Sequence, residues 1–77
     1  MNIEQRVTAV AVELIDVEYV SITPSMSLKS DLGMDSLDLV EFIMDIEDEF
    51  DIEIYDEVAT TFNSIGDVID YVTKATK

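Results

Sequence analysis

The chain has 77 residues and is expected to form one small domain, residues 1–77. Apolar residues make up 48%, too many for an acidic disordered tail, so a folded chain is expected. The formal net charge of −14 excludes the basic footprint that nucleic acid requires and disfavours docking on anionic membranes. The chain has no Cys and no His, which removes disulfides and the commonest general base. No stretch approaches transmembrane length, and Met1-Asn2-Ile3-Glu4-Gln5-Arg6 lacks a signal-peptide apolar run, so a cytoplasmic location is expected.

The first helix is read from Ile3 and is expected to end near Asp16. Ile3, Val7, Val10, Ala11 and Leu14 recur at helical spacing and form one buried stripe. From Val17 to Asp35 the periodicity fails. The β-branched run Val17–Thr23 resembles a strand, but Pro24, the serines and Gly33 favour a long loop, which Leu28 and Leu32 would pin to the core.

Asp35 is a suitable N-cap, with Asp38 in the first turn, for a second helix from Ser36 to Phe50. At about 100° per residue, Leu39, Phe42, Ile43, Ile46 and Phe50 share the core face. Leu37, Val40 and Met44 form a second apolar face, flanked by Glu41, Glu47 and Asp48. An ordinary surface helix has a single stripe. The second is either covered by another helix of the same domain or is an exposed docking surface with an acidic rim.

Asp51-Ile52-Glu53-Ile54 alternates but is too short and isolated for a sheet, and is read as an extended link. Asp56 is expected to cap a short turn through Thr60. Ser64 with Asp67 resembles a capping box for a last helix bearing Ile65, Val68, Ile69 and Val72. The expected fold is all-α: a small four-helix bundle, three main helices plus one short one, with a long loop between the first and second helices.

Nucleophilic catalysis by Ser36 would need a base in reach, which the sequence does not offer, so no enzyme activity is expected. Asp45, Glu47, Glu49 and Asp51 alternate like a calcium loop, but Phe50 stands where that loop needs Gly, and no metal site is expected. Ser36 at a helix start suits a phosphate acceptor, beside free N–H groups and the positive end of the dipole. It equally suits a residue that merely begins a helix. The residues alone leave both readings open.

The run Asp31-Leu32-Gly33-Met34-Asp35-Ser36-Leu37-Asp38 resembles the phosphopantetheine attachment motif of acyl carrier proteins. Val40-Glu41, Met44, Glu47-Asp48-Glu49-Phe50-Asp51 and Glu53-Ile54 are similar to the second helix and following link of bacterial-type fatty-acid carriers. Glu4-Gln5-Arg6-Val7 resembles their start and Ile69-Asp70-Tyr71-Val72 their last helix. The resemblance implies a carrier whose phosphopantetheine arm, taken from coenzyme A, is joined to Ser36, with Asp35, Leu37 and Asp38 around it. It implies a phosphopantetheinyl transferase and acyl-transfer enzymes as partners, docking through basic patches on Leu37, Val40, Glu41, Met44, Glu47 and Asp48. It further implies an acyl chain lying past Ile46, Ile54, Ala59, Phe62 and Ile69, and a monomer. Tyr55 stands where proline is common, Met34 where a small residue is common, and Phe62 is bulky for a pocket wall. Strong acidity and Glu49-Phe50-Asp51-Ile52-Glu53-Ile54 favour a free-standing fatty-acid-type carrier. The alternatives are a polyketide, peptide or specialised lipid carrier, or an acidic interaction protein that does not use Ser36.

Overall fold

A computed structural model describes residues 2–15 and 22–76. Among them are four α-helices: α1 (Ile3–Ile15), α2 (Ser36–Phe50), α3 (Asp56–Ala59) and α4 (Ile65–Ala75). This is the expected helical architecture. The loop reading of Val17 to Ser21 lies outside the described residues.

α1 packs against both α2 and α4. Val7, Val10 and Ala11 meet Phe42, Ile46 and Phe50 of α2 and Ile65, Val68 and Val72 of α4 in one buried cluster. Each set falls at the three- and four-residue spacing that puts side chains on one helical face. The start of α1 is closed reciprocally: Asn2 Oδ1 accepts from the Gln5 N–H (2.8 Å) and Gln5 Oε1 from the Asn2 N–H (3.1 Å).

The loop before α2 joins the core where periodicity could not show it. Leu28 is buried as expected and Leu32 is half-buried, while Met34, which no pattern marked, is 3% exposed. Hydrogen bonds strap this loop to the start of α4: Leu28 N–H to Asn63 O (2.9 Å), Ile65 N–H to Met26 O (3.1 Å) and Gly66 N–H to Pro24 O (2.8 Å). A Cβ on Gly66 would lie 3.1 Å from the Pro24 carbonyl oxygen, so the close approach depends on glycine.

α2 ends in a left-handed residue, Asp51 (φ 54°), a conformation that a short acidic side chain tolerates. Asp51, expected to open an extended link, is thus this cap instead, and residues 52–55 after it lie in no helix or strand. Glu47 reaches forward to accept the Ile54 N–H (2.7 Å), which seats the buried Ile54. The cap expected at Asp56 is corrected: Tyr55 is the N-cap of α3, in extended conformation and with no side-chain cap bond, and Asp56 is the first helical residue. Tyr55, not Asp56, stands extended at the transition, and an acid in the first turn still favours the helix dipole.

α2 has no basic residue in its last turn. Arg6 of α1 supplies one. Its Nε donates to Glu49 Oε2 (2.8 Å), its Nη2 donates to the Glu49 carbonyl (2.8 Å), and its guanidinium lies 4.3 Å from the Phe50 ring centroid. Both ion-pair side chains keep over a third of their surface in solvent (36% and 40%), so screening limits the pair itself. Arg6→Ala is expected to cost about 1–2 kcal/mol, mostly from the stack and the carbonyl cap. A lowered urea midpoint at unchanged slope would report it; an unmoved midpoint would mean that the clasp contributes nothing.

Candidate functional site

The start of α2 is built by its own sequence. Asp35 is the N-cap, and the expected cap proves to be reciprocal: Asp35 Oδ1 accepts the Asp38 N–H (2.9 Å) and Asp38 Oδ2 accepts the Asp35 N–H (3.3 Å). Gly33, at φ +69°, turns the chain into this cap, and a Cβ there would meet open space, so only backbone strain selects glycine. Met34 inserts into the core on the cap's inner side, and its N–H is held by the Leu28 carbonyl (3.0 Å). Ser36 follows as the first residue of α2. It is exposed, and its hydroxyl makes no hydrogen bond among the described residues.

The box alters the expected chemistry of this helix end. A carboxylate already occupies the Asp38 N–H, so the end is less open to a phosphate than the sequence suggested. The charges flanking Ser36 are those of Asp35 and Asp38.

Along α2, Leu37, Val40 and Met44 are exposed (67%, 56% and 57%), so no other described helix covers the second apolar face. Glu41 and Asp48 are exposed beside it. Glu47 is only half-buried and has one carboxylate oxygen committed to the Ile54 N–H, so it holds the fold as well as standing on this face. Glu49 is engaged by Arg6. Among the described residues no three His, Cys, Asp or Glu side chains converge as a metal-holding group.

A cleft of about 500 Å³ opens beside Ser36, between α2 and the segment carrying α3. Leu39, Val40, Ile43 and Met44 line one side, and Ile54, Ala59 and Phe62 the other. Phe62 is braced edge-on by Tyr71, with ring centroids 5.7 Å apart. Ile54, Ala59 and Phe62 were expected on such a path. Ile46 and Ile69 were also expected but do not line it: Ile46 is fully buried in the core and Ile69 packs against that core. Leu28 and Lys29 of the loop also line it, which loop residues without periodicity could not announce.

The model of the family described as "Phosphopantetheine attachment site" matches residues 5–72, nearly the whole chain. The chain belongs to this phosphopantetheine-attachment family. A solved structure of a candidate acyl carrier protein from Mycobacterium tuberculosis is similar to this carrier throughout. The two share 34% identity and a TM-score of 0.90, over 95% of this chain and 97% of that one. The carrier therefore holds a covalently attached phosphopantetheine and bears acyl groups as thioesters; carriers of this family are not themselves catalysts. The residues present fit that group: a free hydroxyl, an adjoining apolar cleft and no cysteine to compete with the arm's thiol. Carriers of this kind work with a phosphopantetheinyl transferase and acyl-handling enzymes. No helix among the described residues is long and apolar enough to cross a membrane.

Proposed function

We propose that Ser36 Oγ is the attachment point of the arm, and that the exposed face of α2 presents the loaded carrier to its enzymes. The observation that carries this reading is the exposed Ser36 hydroxyl, unbonded among the described residues, beside the apolar cleft. In loading, the Oγ–P bond forms as the pyrophosphate P–O bond of coenzyme A breaks, and the nucleotide phosphate leaves. The hydroxyl proton passes to a base on the transferase, because this chain contains no histidine. The thiol at the far end of the bound arm supplies the thioester chemistry. The chain's own part is to hold Ser36 still, keep Leu37 and Val40 accessible, and shelter apolar cargo against Ile43, Ile54 and Phe62.

Intact-protein mass tests the attachment. After incubation with coenzyme A, magnesium and a broad-specificity transferase, the chain should gain one phosphopantetheinyl unit, mapping to the peptide that contains Ser36. A gain mapping elsewhere, or none on a folded, initially unmodified chain, would overturn the assignment.

Docking is assigned to Leu37, Val40, Glu41, Met44, Glu47 and Asp48. An apolar centre with an acidic rim complements an enzyme patch of apolar and basic residues, and charge complementarity speeds the encounter. Glu41→Lys and Met44→Ala are each expected to weaken transferase binding by about five-fold or more, equivalent to roughly 1 kcal/mol. Both positions are exposed, so the melting temperature should hold. Unchanged binding by both variants would place the docking surface elsewhere. We assign the carrier to a free-standing fatty-acid-type pathway, on its acidity and the segment Glu49–Ile54; acyl transfer assayed with purified partners of each pathway class tests this.

A further inference from the structure

We propose that Lys29 is the counter-ion of the phosphodiester on Ser36, its ammonium holding the anion at the mouth of the cleft and so setting the direction in which the arm leaves α2. The inference rests on Ser36 as the attachment point.

Three observations converge on Lys29. It lines the same cleft as Ser36. It is the only basic residue between Arg6 and Lys74 in the sequence. Its side chain makes no hydrogen bond or ion pair among the described residues, although the chain carries 18 acids.

The backbone beneath it is braced. Leu28, the preceding residue, has its N–H on Asn63 O (2.9 Å) and its carbonyl on the Met34 N–H (3.0 Å), two residues before Ser36. Around the turn, Asp31 Oδ2 accepts the Ser27 N–H (2.7 Å) and Ser27 Oγ accepts the Ser30 N–H (3.1 Å). A flexible four-carbon stem thus stands on a fixed base, held close to the attachment segment.

The electrostatics call for such a cation. The other charged side chains lining the cleft, Glu47 and Asp56, are anionic, as are Asp35 and Asp38 flanking Ser36. The reciprocal cap has already given a carboxylate to the Asp38 N–H. A phosphodiester placed among four carboxylates finds one ammonium within the same cleft, and that ammonium has no hydrogen-bond or ion-pair partner among the described residues.

The test uses the full chain with lysines labelled in the side chain, before and after loading, with contacts between the ammonium groups and phosphorus followed by NMR. Mass first establishes that loading is complete and on Ser36; failure there removes the attachment reading and is distinct from failure of this one. On loaded protein a through-space contact between the Lys29 ammonium and the phosphorus is expected, and none from Lys74. The contact should weaken with added salt. In Lys29→Gln, loading should still occur, but the phosphorus resonance of the bound phosphodiester should narrow as the anion is released, and Lys29→Arg should restore its width. The absence of that contact on fully loaded protein would overturn the proposal, as would a phosphorus linewidth that Lys29→Gln leaves unchanged.

Discussion

Ser36→Ala is expected to gain no mass under conditions that load the native chain fully, while keeping its melting temperature within about a degree. The two halves of this result have separate causes. Loading needs an oxygen at this position, and alanine has none. Stability does not need it, because Asp35 and Asp38 carry the cap bonds and the Ser36 hydroxyl makes none among the described residues. Alanine is also the better helix former. Asp35→Ala is the informative contrast: it leaves the hydroxyl but removes the cap, at a cost of about 1 kcal/mol. A Ser36→Ala chain that still loads would move the attachment to another hydroxyl. One that unfolds would show Ser36 to be structural.

Phe42→Ala is expected to leave the chain largely unfolded at room temperature. Phe42 is fully buried in the cluster that joins α1, α2 and α4. Truncating a buried phenylalanine costs about 3–5 kcal/mol, and a core in a chain of this size rarely supplies more than about 3–5 kcal/mol in all. Helical circular dichroism during urea titration should lose its native baseline, and Phe42→Leu should recover most of it. A cooperative transition in Phe42→Ala within about 1 kcal/mol of the native chain would mean that the cluster is held elsewhere.

Helical faces were legible from spacing alone. The burial of Phe42, Ile46 and Phe50 and the exposure of Leu37, Val40 and Met44 follow from one rotation per residue, because a long helix repeats its rule often enough to be read. The caps at Asp35 and Ser64 were legible for a similar reason: each needs only two residue types three positions apart. What escaped reading lies where contacts join distant, non-repeating segments. Met34 is core although its neighbours Gly33 and Asp35 are exposed. Lys29 reaches the cleft because Leu28 is strapped to Asn63, far along the chain. Glu47 was read as rim, yet its carboxylate serves the backbone of the link. In each case the deciding partner is set by tertiary packing, which no local pattern encodes.

The two walls of the cleft differ in how firmly they are fixed. α2 is fifteen residues long, anchored by Phe42, Ile46 and Phe50, capped at its start and clasped by Arg6 at its end. α3 is a four-residue turn with no fully buried residue and no side-chain cap. Local opening is cheapest where few apolar contacts and caps must be given up, so hydrogen exchange should be fastest on the α3 side. The space beside Ser36 therefore resembles a vice with one bolted jaw and one looser jaw, and apolar cargo entering it is expected to displace the α3 side first.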